Sequence, residues 1–350
     1  MTVDNNNQEG KKSSFFSKVL VVQEVGILIP LILIILLFWI INPAFLSAPN
    51  LFSVLKVLSF YGIVAVGETL LMLAGDIDIS VGSVAGFGAV FSTFIMMKFN
   101  CFGLLNTPNE WIGVIFSIII CLIVCSIFGF INAFFIVDMK MPAFVVTIAT
   151  MWAIRGAIMV VTQGNPIYPL PLFFMDTLGG AQIPISKVGD EVIGISAPFI
   201  IFAILVITFD ILLRRTSFGR NIYATGSNRE VANLSGINTR KVRYANFVIL
   251  STLSGFSGIF VAAFTRMGYP PIGQGWEMLI IAMCAVGGVS MAGGSGTMTG
   301  TFIGVLILNF MDNGLVMTGI NTFLQQTVQG IIIIAAVYMD IFRRSRKVSS

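Results

Sequence analysis

The segment "LAGDIDISVGS", residues 73–83, carries two carboxylates in an otherwise apolar part of the chain. Asp76 and Asp78 stand two residues apart, and no Lys, Arg or His lies within fifteen residues on either side. Because an Asp at the centre of a bilayer costs about 2.5–3.5 kcal/mol, neither group is expected to face lipid. Gly75 and Gly82 flank the pair and predict an interrupted helix, in which either carboxylate could cap the helix that follows.

The composition indicates that this segment belongs to an integral membrane protein. Hydrophobic residues make up 56% of the chain and charged residues only 10%, whereas a soluble domain averages about 25% charged residues. Apolar runs recur from end to end, each close to the roughly 20 residues that a membrane-spanning helix needs. The sequence therefore predicts an all-α, polytopic membrane protein. Its four cysteines show no disulfide or metal-binding spacing and are expected to be buried as small hydrophobes.

Ten segments are predicted to cross the membrane: 25–42, 51–73, 81–98, 111–136, 143–162, 196–213, 243–264, 277–291, 297–316 and 322–342. Lys and Arg test this arrangement, because they concentrate in the cytoplasmic loops of membrane proteins. With the N-terminus in the cytoplasm, the cytoplasmic segments hold 15 of the 20 basic residues. These are Lys11, Lys12, Lys18, Lys140, Arg214, Arg215, Arg220, Arg229, Arg240, Lys241, Arg243, Arg343, Arg344, Arg346 and Lys347. The distribution favours ten spans with both termini in the cytoplasm.

This topology divides the chain into a cytoplasmic tail at 1–22, a membrane domain at 23–342 and a second cytoplasmic tail at 343–350. No cleavage pattern follows the first apolar run, which is therefore expected to be a spanning helix and not a removable signal. Two loops are long. The outer loop, 163–195, is rich in Pro and Gly, and the inner loop, 214–242, is strongly basic.

The inner loop contains a short predicted helix. In "SNRE", Ser227 and Glu230 match a capping box, and Gly236 stands where a left-handed residue would end the helix. The predicted helix runs from Asn228 to Ser235, and its apolar face is formed by Val231, Ala232 and Leu234. Since two turns are not stable alone, the helix must either pack on its own membrane domain or dock into a cytoplasmic partner.

The buried polar residues leave several interpretations open. Asp76 and Asp78 could cap and join helices, contribute to a gate, or couple transport to protons or sodium. The chain has no histidine, which removes the usual proton shuttle and the commonest metal ligand, and no metal site is predicted. Glu68 is expected to hydrogen-bond to a neighbour, and Arg155 needs a water-filled cavity or a carboxylate such as Asp76, Asp78 or Glu68. Further candidates for the pathway or gate are Asn132, Asn309, Asn313, Gln325 and Gln326.

Three stretches together resemble the permease subunits of bacterial ABC importers for monosaccharides. They are "GDIDISVGS", "FGRNIYATGSNREVANLSGINTRKV" and "AVGGVSMAGGSGTMTGTFIGVLILNFMDNGL". The segment "TIATMWAIRGAIMVVTQGNPI" is also similar. Permeases for ribose, xylose, arabinose and autoinducer-2 belong to this family, and the resemblance extends from about Leu51 to Asp340. Residues 172–195 of the outer loop depart from it.

The resemblance implies a ten-helix subunit that pairs with a second permease subunit, identical or different. It also implies ATPase subunits on the cytoplasmic side and a periplasmic or lipid-anchored sugar-binding protein on the outer side. The short inner helix falls where such permeases have a coupling helix, which assigns ATPase contacts to Ser227, Asn228, Arg229, Glu230, Val231, Ala232, Leu234 and Gly236.

The glycine-rich segment "GGVSMAGGSGTMTG", residues 287–300, lacks the Lys of a phosphate-binding loop. ATP is therefore expected on a partner subunit, and this chain is expected to be neither an enzyme nor a cofactor-binding protein. The glycines could instead allow close helix approach or form a break that lines the pathway.

The sequence thus predicts a permease subunit of an ABC importer for a pentose-like monosaccharide or related small polyol. Its expected place is the bacterial cytoplasmic (inner) membrane, surrounded by lipid and without a nucleic-acid partner. The alternative is an ion-coupled secondary transporter with Asp76 and Asp78 as the coupling site. The predicted docking helix and the absence of a histidine relay favour the importer.

Overall fold

The computed structural model describes residues 23–188, 191–321, 324–331, 334 and 338. Both predicted tails and most of the predicted tenth span lie outside these residues. The helices are α1 (Gln23–Ile41), α2 (Ala48–Leu73), α3 (Val81–Lys98), α4 (Glu110–Ala133), α5 (Ala143–Thr162), α6 (Ala197–Arg215), α7 (Ser217–Ser227), α8 (Arg229–Leu234), α9 (Thr239–Thr265), α10 (Trp276–Val286) and α11 (Met298–Met317). Short helical turns lie at Pro43–Leu46, Asn100–Gly103, Phe134–Asp138, Leu172–Phe174 and Met175–Gly180.

Seven of the described helices are long and apolar enough to cross a membrane. They are α2, α3, α4 with the turn that follows it, α5, α6, α9 and α11. Two shorter apolar helices, Ile27–Ile41 and Trp276–Val286, coincide with the predicted first and eighth spans. The chain is thus a mainly helical, multi-pass membrane protein.

The core is built from α2, α3 and α9, whose most apolar windows are 78%, 72% and 72% buried. Small residues let these helices approach closely. A side chain at Gly258 of α9 would collide with the carbonyl oxygen of Ala85 in α3, and one at Gly88 would collide with Gly255. By contrast, the most apolar windows of α4, α5 and α6 are only 17–28% buried, so these helices have wide exposed apolar faces.

The predicted outer loop contains regular structure that its residue pattern does not indicate. Strands β1 (Gln182–Val188) and β2 (Glu191–Ser196) pair as an antiparallel hairpin, with a register irregularity between Pro184 and Ser186. Ile183 and Ile185, both exposed, give only a short strand-like alternation of apolar and other residues. The prolines of this loop indicate turns and not strands. An all-α fold is therefore correct for the membrane part but not for this loop.

The inner loop folds as two helices in place of the predicted one. α7 follows α6 after Thr216, whose hydroxyl accepts a hydrogen bond from the Gly219 N–H at 3.1 Å and caps the helix. α8 follows one residue after α7 ends. We call this pair, Ser217–Leu234, the α7–α8 hairpin.

Candidate functional site

The turn between α2 and α3, residues 74–80, holds the carboxylates of Asp76 and Asp78. We call it the carboxylate turn. Asp76 is 5% exposed and joins two arginines. Arg243 of α9 donates from Nε and Nη2 to the carboxylate at 2.6 and 2.9 Å. Arg229 of α8 donates from Nη2 to Asp76 Oδ1 at 2.9 Å and to the Gly75 carbonyl at 2.6 Å. Asp76 therefore joins α8, α9 and the turn, as one of the open interpretations had it, but it does not cap α3.

Asp78 is fully buried and holds a second set of contacts. Its Oδ1 accepts hydrogen bonds from the Ser80 N–H at 2.7 Å and the Ser80 hydroxyl at 2.6 Å. Asn132 of α4 donates to Oδ2 at 3.1 Å and accepts from the Thr150 hydroxyl of α5 at 2.6 Å. Asp78 thus shapes the turn locally and joins it to α4 and α5, while α3 begins without a side-chain cap.

Glu68 of α2 lies beside this network. It is fully buried, and its Oε1 accepts a hydrogen bond from the Asp78 N–H at 3.3 Å, as the predicted bond to a neighbour requires. Its Oε2 has no hydrogen-bond partner among the described residues. The sequence-predicted carboxylates and Asn132 therefore do come together, in one buried cluster around the turn.

Arg155 stands apart from this cluster, and its hydrogen bonds go to none of the three carboxylates considered as partners, Asp76, Asp78 and Glu68. Its Nη1 donates to the carbonyl oxygens of Pro270 and Ile272, both at 2.9 Å. These carbonyls belong to the loop between α9 and α10. Backbone acceptors of this kind carry no residue-type signal, so the sequence offers no means of finding them.

The caps of α8 differ from the predicted capping box by one residue. Asn228 accepts from the N–H groups of Glu230 and Val231 at 3.0 and 3.1 Å. Ser227 instead donates to the Tyr223 carbonyl at 2.8 Å and ends α7. The capping role assigned to Ser227 is therefore wrong, whereas the left-handed Gly236, with φ +84°, is confirmed.

The predicted apolar face of α8 is divided between the interior and the solvent. Ala232 is 4% exposed and packs inside the chain, whereas Val231 is 56% and Leu234 89% exposed. Arg229 is turned toward Asp76. Ala232 is therefore not presented to a partner, whereas the predicted contact through Arg229, whose side chain is 40% exposed, stays a prediction. The exposed apolar pair Val231 and Leu234 forms the outer surface of this helix.

Glycines bring the hairpin against the membrane core. A side chain at Gly226 of α7 would collide with the Leu73 carbonyl at the end of α2. The Gly294 N–H donates to the same carbonyl at 2.9 Å, and the Tyr223 hydroxyl donates to the Gly296 carbonyl at 2.9 Å. In the glycine-rich segment, Gly287 likewise meets the backbone of Gly300, so the predicted close approach of helices is confirmed.

A basic cavity of about 780 Å³ opens beside the hairpin. Its charged lining consists of Lys140, Arg229, Arg240, Arg243 and Asp76. Arg240 also forms two hydrogen bonds of 2.7 Å with Asp138, which ends the turn after α4. The cavity therefore has an excess of positive charge on the same side of the molecule as the exposed surface of α8.

Other predicted residues lie away from this cluster. Asn309 donates to the Val305 carbonyl of its own helix at 2.9 Å. Asn313 exchanges two hydrogen bonds of 2.9 Å with Asn50 of α2. Gln325 donates to the Ile320 carbonyl at 2.9 Å. Within the described residues, no group of three or more His, Cys, Asp or Glu is placed to hold a metal ion.

Known proteins resemble the chain over nearly all of its length. The ribose import permease protein of Bacillus subtilis is 31% identical over 91% of this chain and 93% of its own length. That of Haemophilus influenzae is 33% identical over the same shares. The xylose transport system permease protein of Escherichia coli is 30% identical over 91% of each chain. No solved structure matches significantly.

A family match covers residues 50–337, which include both the carboxylate turn and the α7–α8 hairpin. The family is described as the branched-chain amino acid transport system / permease component. Since this match extends over most of the chain, and the ribose permease relatives agree with it, the chain belongs to the permease-component family of the branched-chain amino acid transport system.

Proposed function

We propose that the protein is the membrane-spanning subunit of an ABC importer in the bacterial inner membrane, and that it carries a pentose-like monosaccharide or related small polyol. Its relatives are named as ribose and xylose permeases, which supports this substrate class. The observation that carries the proposal is the α7–α8 hairpin. Its exposed apolar residues face away from the chain, while its Arg229 is bonded to the buried carboxylate turn.

The proposed assembly contains a second permease subunit, ATPase subunits at the hairpin side and a sugar-binding protein at the opposite face. In this arrangement residues 1–22 and 343–350 are cytoplasmic tails and 23–342 form the membrane domain. ATP binds the partner ATPase, so the work of hydrolysis must reach this chain through contact. Val231 and Leu234 are the proposed contact residues, with Asn228, Glu230 and Gly236 setting the conformation of the helix that presents them.

The contacts in the structure supply a route for this movement. A displacement of α8 acts on Asp76 and the Gly75 carbonyl through Arg229. The carboxylate turn then acts on α4 and α5 through Asp78, Asn132 and the Thr150 hydroxyl. We propose that these bonds transmit the ATPase cycle to the helices that open and close the pathway. Asp76, Asp78, Glu68 and Asn132 are thus coupling residues in the gate, not sugar ligands.

The secondary-transporter alternative fits these contacts less well. A coupling site needs carboxylate oxygens that can exchange their partners for an ion. Both oxygens of Asp76 are bonded to guanidinium groups, and both oxygens of Asp78 are bonded to Ser80 or Asn132. An ion would have to displace these bonds at each cycle.

The proposal is tested by co-purification of the ATPase with permease variants at equal membrane abundance. Leu234→Glu places a carboxylate at the centre of the proposed contact, where burial without a partner is unfavourable. We expect this variant to insert normally and to lose most of the bound ATPase and the sugar-stimulated hydrolysis. Ile183→Glu on β1 is the matched control, because Ile183 is also an exposed apolar residue but lies on the other loop.

Ala232→Glu separates docking from internal packing. Since Ala232 is buried within the chain, this variant should reduce the amount of folded permease before any effect on the ATPase. Equal ATPase recovery and equal stimulated turnover for Leu234→Glu and the wild-type protein would show that the docking surface lies elsewhere.

A further inference from the structure

We infer that a cavity between α2 and α11, lined by both polar and apolar side chains, is a transient binding site for the transported sugar, with Asp312 as its principal hydrogen-bond acceptor. This inference rests on the proposed function and extends it to particular residues. The cavity is lined by Ser53, Val54, Val57, Tyr61, Asn309, Asp312, Asn313 and Val316. We call it the α2–α11 cavity.

The cavity lies toward the end of the molecule opposite to the α7–α8 hairpin. α2 begins at Ala48 and reaches the hairpin at Leu73, and its lining residues lie between Ser53 and the midpoint of the helix at Tyr61. α11 runs in the opposite sense, since its first turn is near the glycine-rich segment that contacts the hairpin. Its lining residues, from Asn309 onward, belong to its second half. If the hairpin faces the cytoplasm, the cavity is in the half of the membrane that a sugar enters first.

The presence of Asp312 needs a functional reason. A carboxylate within a membrane-spanning helix is rare and usually faces a water-filled cavity or pathway. Asp312 is half-buried, and its Oδ1 accepts one hydrogen bond from Gln329 at 3.0 Å. Among the described residues Oδ2 has no partner. A carboxylate oxygen of this kind can accept the hydroxyl hydrogens of a sugar.

The other lining groups can contact the hydroxyl groups and the apolar ring face of a monosaccharide. Tyr61 offers both a hydroxyl and an aromatic face, and its ring lies 4.6 Å from that of Trp276 at an angle of 46°. The amides of Asn309 and Asn313 and the Ser53 hydroxyl supply further donors and acceptors. Val54, Val57 and Val316 form an apolar wall for the C–H face of the ring.

The size of the cavity limits the ligand to a small one. Its volume is about 210 Å³, below the roughly 300–1,000 Å³ of pockets that hold drug-sized ligands. This is room for a single sugar ring and not for a disaccharide. A shallow site also suits transport, because a tightly bound sugar would leave the pathway slowly.

The first test measures uptake by the complete importer in proteoliposomes, with its ATPase and binding protein. Radiolabelled ribose, 2-deoxyribose, xylose and arabinose are the probes. For Asp312→Asn we expect KM for the preferred pentose to rise about tenfold, the effect of weakening one charged hydrogen bond. We also expect smaller discrimination between ribose and 2-deoxyribose. Asp210→Asn is the matched control, because Asp210 forms an exposed ion pair with Arg214.

The second test does not depend on the activity of Asp312 variants. All four native cysteines are buried, so Ser53→Cys introduces one accessible thiol in the cavity. We expect a small hydrophilic thiol reagent to modify it, and the transported pentose to slow this modification several-fold, with no effect of exchanging sodium for potassium.

The outcomes distinguish this site from the proposed function. If the wild-type importer takes up none of the four pentoses, the proposed substrate class is overturned and the assigned ligand with it. If the wild-type importer takes them up but Asp312→Asn keeps its KM and selectivity and the thiol of the Ser53→Cys variant is not protected, only the α2–α11 site is overturned. Protection by sodium alone would assign the cavity to an ion.

Discussion

Asp76 acts as the junction between the inner loop and the membrane helices. Its two guanidinium partners are 153 and 167 residues away in sequence, so nothing near the "GDIDIS" segment indicates them. The sequence does show that a buried carboxylate needs a partner, and it supplies several candidate arginines. Only the folded chain selects Arg229 and Arg243, because the partner depends on which ends of α2, α8 and α9 meet.

Replacement of Asp76 should destabilise the protein more than replacement of an exposed carboxylate. Asp76→Ala leaves Arg243, whose side chain is 10% exposed, as an uncompensated buried charge. Breaking such a pair typically costs about 3–5 kcal/mol. We therefore expect a marked fall in the apparent Tm of the purified permease and in its membrane abundance, measured by thermal denaturation and by size-exclusion chromatography.

Asp138→Ala is the control for this change, because its partner Arg240 is 67% exposed and well solvated. A small effect of Asp138→Ala beside a large effect of Asp76→Ala would support the junction. Similar Tm values for the two variants would contradict it, since they would mean that burial of the Arg243 pair has no energetic consequence.

In the α7–α8 hairpin, the local sequence predicts one helix, α8, but not its exact start and not the helix before it. The existence of α8 and its end at Gly236 followed from local chemistry, since Gly accepts the left-handed conformation there. The start was misplaced because Ser227 and Asn228 are both good caps, and Ser227 was already used by α7. Neither α7 nor the β1–β2 hairpin was predicted. Their patterns are short, and tertiary contacts decide such segments.

Gly226→Ala should disturb the fit of the hairpin against α2. The added methyl group would collide with the Leu73 carbonyl, so the hairpin must shift. Overpacking of this kind typically costs about 1–3 kcal/mol. We expect the variant to fold with a lowered Tm and to show weaker sugar-stimulated ATP hydrolysis, because the hairpin no longer holds the carboxylate turn in position.

Gly156→Ala on α5 is the matched control, since nothing lies within 4 Å of an added methyl group there. Replacing this helical Gly should be neutral or slightly stabilising. If Gly226→Ala and Gly156→Ala gave the same Tm and the same stimulated hydrolysis, the close packing of Gly226 would have no role in coupling.

At the scale of the whole molecule, the apolar runs alone predicted where most membrane helices lie. The segments predicted at 143–162 and 81–98 coincide with α5 and α3, because hydrophobicity and length are local properties. The division into buried and peripheral helices was not predictable in the same way. It depends on matching small residues in different helices, such as Gly258 with Ala85, and a single sequence does not show which of its glycines meet.

The last prediction concerns the orientation of the chain in the membrane. The bias of 15 of 20 basic residues predicts that the hairpin lies in the cytoplasm and the turn around Thr177 outside. Ser235 and Thr177 are both exposed, so Ser235→Cys and Thr177→Cys each present one accessible thiol.

The native cysteines should give little background in this labelling experiment, because all four are buried. Burial, together with the nearby Glu110 carboxylate, also raises the pKa of Cys101 to about 11, which keeps this thiol in its unreactive protonated form. In intact spheroplasts, a membrane-impermeant maleimide should therefore label Thr177→Cys at once and Ser235→Cys only after the membrane is opened.

A third variant, Ser349→Cys, should behave like Ser235→Cys, because an even number of spans returns the C-terminus to the cytoplasm. Labelling of Ser349→Cys in intact spheroplasts would require an odd number of spans and would contradict the ten-helix topology. Labelling of Thr177→Cys and Ser235→Cys from the same side would contradict the opposite placement of the two loops. The docking proposal depends on that placement.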